Sequence, residues 1–203
     1  MARVSADRVK ETKTELLEAA QRVLLEEGYS GLSTRRIAEA AGTQMSQIQY
    51  HFGSKQGMIL ALFEYLNLQL IDRQTETFQN PNLSVSEKWA LSCDYLDQDI
   101  GSGYVKVLLE LTAAGWSNPA IGEALRNAYA QWRDLIVALA REFEKKNGSL
   151  GPFTAEDVGA LVSASFIGAE ALIMLDYESP KIPFRSALRR FEKVIEMFEE
   201  PKD

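Results

Sequence analysis

Apolar residues recur at helical spacing along nearly the whole chain, with no convincing period-2 alternation and no hairpin signal. Leu16, Leu17, Ala20, Val23 and Leu24 form a first stripe, which stops at Gly28, a residue suited to the left-handed turn that ends a helix. Ser33 offers an N-cap for a short helix holding Ile37, Ala38 and Ala41, and Gly42 breaks it. A third short helix is predicted from about Gln44 to Phe52. Ser54 then caps a long helix through "MILALFEYLNLQLIDRQTETF". Ser84 and Glu87 have the spacing of a capping box, opening a helix through Trp89 to Asp99 that "GSG" at 101–103 breaks. Further helices are predicted over Tyr104–Ala114, from "SNP" at 117–119 to about Lys146, and from Thr154 to about Leu175. "SPKIP" separates the last of these from a final helix over about Phe184–Phe198. The pattern predicts an all-α fold of about nine helices, three short ones followed by six mostly longer ones.

Composition adds little until it is divided along the chain. The 46% apolar and 25% charged content fits a globular protein. No run of 18 or more uncharged apolar residues suggests a membrane span, and the N-terminus lacks the apolar segment of a signal peptide, so the cytoplasm is the expected compartment. Cys93 is the only cysteine, cannot form an internal disulfide, and reads as a small buried hydrophobe. A net charge of −7 at first argues against nucleic acid. Yet residues 1–57 carry 8 Lys/Arg against 7 Asp/Glu, whereas residues 58–203 carry 14 against 22. Phosphate contacts depend on local basic groups, so the acidic total does not exclude DNA.

The stretch "IAEAAGTQMSQIQYHFGSK", residues 37–55, concentrates the candidate chemistry. It holds the only histidine, His51, between Tyr50 and Phe52. No Ser, Cys or Asp stands beside His51 in sequence to form a nucleophilic cluster, and a lone His without cysteines or gathered carboxylates makes no zinc site. Two short helices joined by a tight turn with a central Gly describe a helix-turn-helix instead. Ala38 is small where the helices cross, Gly42 turns the backbone, and Ile37, Ala41 and Ile48 face inward. The residues between Gln44 and Gln49 on the other face then stand free on a helix of about 12 Å, the width of a major groove.

"GYSGLSTRRIAEAAG" at 28–42 and "YHFGSKQGMILALF" at 50–63 resemble the tetracycline-repressor (TetR) family of bacterial regulators. The resemblance covers about residues 10–65; beyond them it rests on helical architecture and length. It implies that Met45, Ser46, Gln47 and Gln49 face bases, with Gln44 at the start of the recognition helix. Gln47 and Gln49 could bond adenine bidentately. Arg35 matches a position that reaches a base or phosphate. Thr34, Tyr50, His51 and Lys55 match phosphate positions, Lys55 at a helix N-terminus. Arg3, Arg8 and Lys10 could touch DNA as a flexible arm. The chain departs from the family pattern at Thr43 and Gln44, where an aliphatic residue and a small hydroxyl residue are usual. Gln is a poor N-cap, so Thr43 is expected to cap instead, or the helix start to shift by one residue.

The remainder is expected to bind an effector and to dimerise, dividing the chain into a DNA-binding domain, 1–53, and an effector and dimerisation domain, 54–203. The helix from Val158 to Leu175 is apolar on nearly all sides and is expected to be buried all round. The last helix carries one stripe: Phe184, Ala187, Leu188, Phe191, Val194, Ile195 and Phe198. Either both helices pack within one subunit, or they form a four-helix bundle in a homodimer, through about 155–175 and 184–198; the resemblance and the symmetry of palindromic sites favour the bundle. Trp89, Tyr95, Tyr104, Leu108, Trp116, Tyr129, Trp132 and Phe166 are candidates to line an apolar cavity, or are simply core. Glu170, the only charged residue from 158 to 175, could meet a ligand, an Arg across an interface, or solvent. The implied function is a ligand-responsive transcriptional regulator, most simply a repressor, that binds a palindromic double-stranded DNA operator and is released by a small, largely apolar effector, with no cofactor, metal or catalytic residue. Two rival readings are a helical enzyme or small-molecule carrier with an incidental helix-turn-helix, and a protein-interaction module.

Overall fold

Side-chain caps and glycines punctuate the chain into helices. A computed structural model describes residues 2–199, with side chains from residue 9 onward. The helices among the described residues are α1 (Ala2–Gly31), α2 (Thr34–Ala40), α3 (Met45–Phe52), α4 (Lys55–Phe78), α5 (Val85–Ser102), α6 (Tyr104–Gly115), α7 (Pro119–Asn147), α8 (Ala155–Met174) and α9 (Phe184–Glu199). The Ser33 hydroxyl accepts from the Arg36 N–H and the Ser54 hydroxyl from the Gly57 N–H, starting α2 and α4. Ser84 and Glu87 close the expected capping box on α5. Thr154 and Asp157 close a second one on α8 that the sequence reading did not foresee. Asn118 caps α7 ahead of Pro119.

Some expectations need correction. Gly28 breaks the helical path, but the chain resumes one further turn to Gly31; Gly28 has φ 73° and ψ −179°, a conformation almost confined to glycine. Thr43 does not cap α3. Gln44 is the N-cap, extended at φ −92° and ψ 147°, without a side-chain hydrogen bond. The Thr43 N–H instead bonds the Ala38 carbonyl at 2.9 Å, so its backbone closes the turn between the helices. The backbone at 3, 8 and 10 belongs to α1 and not to an extended arm; the Arg3 and Arg8 side chains lie outside the described residues.

One apolar core joins α1, α2, α3, α4, α6 and α7 through Leu16, Leu24, Ile37, Ile48, Met58, Phe63, Val105, Leu111 and Leu125. A second cluster gathers Trp89, Cys93, Leu96 and Phe166 between α5 and α8. The α8 helix is long and apolar enough to cross a membrane, yet it packs against α5, α6 and α7. Gly159 makes the fit to α7 close, since a Cβ there would meet Val137 Cγ2 at 2.4 Å. Contrary to expectation, α8 is not buried all round. Leu161 and the small residues Ala160, Ala164 and Ser165 face outward, because one chain supplies neighbours on one side only. No residue of α9 is buried. It is fastened along α5 by polar contacts: Trp89 Nε1 donates to the Leu188 carbonyl (2.7 Å), Arg185 pairs with Asp97 (2.6 Å), and Arg189 pairs with Asp94.

Candidate DNA-reading face and inner cavity

Ile48 fixes the rotation of α3. It is fully buried against α2 and α4 with Ile37 and Ala38. At about 100° per residue, Ser46 and Tyr50 then point most directly outward, with Gln47 and Gln49 on opposite flanks. Burial follows this geometry: Gln44, Met45, Ser46, Gln49 and Tyr50 are exposed, Gln47 and His51 half-buried, and Tyr50 reaches 73% exposure. Gln49 is therefore the freer of the two glutamines. His51 lies edge-on to the Tyr50 ring, centroids 5.0 Å apart, and beside Phe52 at 6.1 Å.

The flanks carry the basic groups. Lys55 is exposed at the first position of α4, and Thr34 is half-buried at the first position of α2. Arg35 is exposed, but its Nε donates to Glu39 at 2.9 Å. Arg36 holds both Glu27 and Glu39, keeping both carboxyls below the usual range through its hydrogen bonds, with Arg35 contributing first at Glu39. Such exposed pairs are weak and open to exchange for phosphate. Lys13 on α1, not singled out from the sequence, reaches over the Phe52 ring at 5.8 Å and adds a charge beside the end of α3. Its sign is visible in the sequence; its place beside α3 depends on how α1 packs.

The second feature is an inner cavity of about 40 Å³ between α4, α5, α6, α7 and α8. Six anticipated residues meet there: Tyr104, Leu108, Tyr129, Trp132, Phe166 and Glu170. Two do not. Trp116 is 86% exposed in the turn after α6. That turn cannot fold it inward, because Gly115 and Gly122 draw the helices together: a Cβ on Gly122 would meet the Gly115 carbonyl at 2.9 Å. Trp89 lies on the far side of Phe166, edge-on at 5.6 Å, and lines an outer groove instead. Tyr95 is likewise outside, its hydroxyl bonded to Thr77. The polar lining residues that sequence reasoning missed are Gln74, Ser92 and Asp99. Gln74 had a signal, as the one polar member of the α4 stripe Leu62, Leu66, Leu70, Phe78.

Two buried carboxyl groups, Asp99 and Glu170, make the cavity acidic. Arg73 Nη2 donates to Asp99 at 2.6 Å, but burial outweighs that help and pushes the Asp99 carboxyl up to about 6. Glu170 is 9% exposed; burial, aided by the nearby Asp99 charge, pushes it up to about 8. Burial likewise raises the Tyr104 and Tyr129 hydroxyls. The Tyr104 hydroxyl donates to Asn67 Oδ1 (3.1 Å), and that of Tyr129 pairs with Thr112 Oγ1 (2.9 Å).

An all-α chain with a short exposed helix after a glycine turn near its N-terminus, and an inner cavity behind it, has the architecture of a helix-turn-helix protein. The profile "Bacterial regulatory proteins, tetR family" matches residues 16–62. The repressor AcnR of Corynebacterium glutamicum is 39% identical over 62 residues, which are 30% of this chain; the chain spans only 33% of the length of that relative. Two solved regulators share the fold over nearly the full length. One, from Saccharomonospora viridis in complex with choline, has a TM-score of 0.73 at 20% identity, covering 91% of this chain and 95% of its own. The other, FadR of Bacillus subtilis in complex with stearoyl-CoA, has a TM-score of 0.69 at 18% identity, covering 94% and 99%. The N-terminal domain, residues 16–62, is that of the TetR family of bacterial regulatory proteins.

Proposed function

We propose that the protein is a cytoplasmic, ligand-responsive repressor that binds a palindromic operator as a homodimer and is released by a small effector in the inner cavity. Residues 1–53 would read DNA, and residues 54–203 would bind effector and dimerise. Met45, Ser46, Gln47 and Gln49 are assigned to bases, with Gln44 at the edge of the contact. Thr34, Arg35, Tyr50, His51 and Lys55 are assigned to the backbone. The apolar surfaces left open on α8 and α9 are assigned to the second copy, meeting as a four-helix bundle.

The observation that carries the reading is that α4 is continuous between the two features. It begins with Lys55 at the DNA-facing end and presents Leu70 and Gln74 to the cavity, about 28 Å away along one helix. A second link runs through Tyr104, which lines the cavity and stacks on Phe63 of α4 at 5.7 Å. Next to it, Ser102 accepts from Gln21 of α1, and Gly103 meets Leu24 so closely that a Cβ would stand 2.8 Å away. An effector that enlarges the cavity displaces α4 and the start of α6. It then favours a dimer whose recognition helices no longer match half-sites about 34–36 Å apart. Choline and stearoyl-CoA, bound by the two regulators of the same fold, share so little chemistry that the fold does not choose the effector; the cavity lining must.

Selection of bound duplexes from a random-sequence library by the purified full-length protein tests the reading. A palindrome should emerge at moderate salt. Lys55→Ala should weaken all sequences alike and lower the salt slope by about one, whereas Gln49→Ala, and to a lesser degree Gln47→Ala, should relax preference at single base positions. Failure to enrich any palindrome, with and without extracted metabolites, would overturn it.

A further inference from the structure

Hydrogen-bond accounting around the inner cavity points to one class of ligand. The hydroxyl donors around it are engaged within the protein. Ser92 donates to the Lys88 carbonyl and Tyr104 to Asn67, while the Tyr129 hydroxyl is engaged with Thr112. Arg73 is turned onto Asp99 and lies over the Tyr95 ring at 4.2 Å. The acceptors, by contrast, are free. The Gln74 side-chain carbonyl is fully buried with no hydrogen-bond partner. Among the described residues the Glu170 carboxyl has neither a hydrogen bond nor a cation, while Asp99 has only Arg73.

An unpartnered buried acceptor is costly, and an unpartnered buried carboxylate more so. An anionic ligand would have to settle against two buried carboxyl groups, Asp99 and Glu170, with Arg73 already committed to Asp99. A neutral apolar ligand would leave Glu170 and Gln74 as they are. Four aromatic side chains, Tyr104, Tyr129, Trp132 and Phe166, complete the wall and suit a positive charge. The volume of about 40 Å³ fits a head group and not a whole drug-sized molecule, for which cavities run to roughly 300–1,000 Å³.

We infer that the cavity receives the primary or secondary ammonium head of an organic amine, whose N–H groups donate to Glu170 and Gln74. The inference rests on the reading of this cavity as the effector site. Glu170 is protonated in the empty cavity at neutral pH and ionised opposite the ammonium, so binding sends its proton to the buffer.

Titration calorimetry of the full-length protein with hexylammonium, hexyltrimethylammonium, 1-hexanol and hexanoate tests this. Hexylammonium should bind at least about tenfold more tightly than the other three. It should release about one proton near pH 6.5, read from heats in buffers of different ionisation enthalpy. Glu170→Gln should lose about tenfold for hexylammonium and abolish proton release, with hexanol unaffected; Gln74→Met should weaken hexylammonium alone. The inference is overturned if hexylammonium does not bind. Equal binding of hexanol, hexanoate or the trimethyl compound, or undiminished binding by Glu170→Gln, also overturns it. Operator release, followed separately by fluorescence anisotropy, keeps the two readings apart. Release by hexanol would sustain the regulatory reading and sink the ammonium one. Calorimetric binding of hexylammonium without release would do the reverse.

Discussion

Glu170 stands where an apolar helix would ordinarily place a leucine, and its cost to the fold depends on pH. Its carboxyl ionises near 4.5 in an unfolded chain and near 8 in the folded one. Below about pH 4.5 both states hold the proton and there is no penalty. Between 4.5 and 8 the folded state binds the proton more tightly, so stability falls as pH rises, and the loss is complete above 8. The groups that face it are Asp99 from α5, with Arg73 of α4 behind it, Gln74 of α4, Tyr104 of α6 and Tyr129 of α7. Asp99 adds a smaller loss of the same sign between 3.8 and about 6. The Glu170→Gln protein should therefore match the wild type near pH 5 and melt higher near pH 8, by roughly 2–4 kcal/mol or on the order of 5 °C or more. Thermal melts across that range check it; parallel curves would show that Glu170 is not buried as described. That Glu170 was unusual was legible in the sequence. Which way it faced was not, because that depends on the rotation of α8 against four other helices. The same limit explains Trp89 and Trp116: aromatic identity marks a core candidate, but the two stand on the wrong side of Phe166 and in a tight surface turn.

Between elements, the contact that governs α3 is its C-terminal end against the first turn of α4. Gly57 permits it. A Cβ at that position would sit 2.1 Å from the Phe52 carbonyl oxygen, a backbone atom with no rotamer to change. Gly57→Ala gains helix propensity yet must push α3 away from α4, a net cost of roughly 1–2 kcal/mol. Gly101, helical in α5 with nothing within 4 Å of its added Cβ, is the control; Gly101→Ala should be neutral or stabilising by up to about 1 kcal/mol. The sharper expectation concerns DNA. Gly57→Ala should lose operator affinity well beyond what its melting temperature accounts for, because the displaced helix is the one proposed to read DNA. Anisotropy titrations beside melts would show this, and an operator affinity intact in a destabilised Gly57→Ala protein would refute it. Helix number, helix order and most caps were legible, since they follow from local spacing and from hydroxyl residues ahead of apolar runs. The start of α3 was harder. Thr43 has a capping side chain, but its N–H is held by the Ala38 carbonyl in the turn, and the uncapped Gln44 opens the helix. The need for glycine at 57 could not be seen in sequence, because the atom it avoids belongs to a different helix.

At the scale of the whole molecule, one chain leaves an apolar surface unfinished. The outer groove, of about 620 Å³, is bounded by α5, α7, α8, α9 and the turn before α8, and its lining includes Trp89, Leu161, Val162, Phe191, Val194 and Phe198. Phe191, Phe198 and Leu161 are each about half exposed. Beside it, the outward residues Ala164, Ser165 and Gly168 of α8 leave room for another helix to approach closely; a Cβ on Gly168 would meet nothing within 4 Å. Contiguous apolar surface of this kind, continuous across two helices, is what an isologous interface requires. The polar ties between α5 and α9 hold the stripe in position without covering it. Phe191→Asp places a charge at the centre of that surface. It should weaken self-association by at least about 2 kcal/mol, roughly 30-fold in the dissociation constant, while the ion pairs of Arg185 and Arg189 keep α9 in place. Sedimentation velocity over a dilution series should find the variant monomeric at concentrations where the wild type is a dimer. Its affinity for a single half-site should be preserved and its affinity for the full palindrome lost. A Phe191→Asp protein that remains dimeric and binds the palindrome unchanged would move the interface away from α8 and α9.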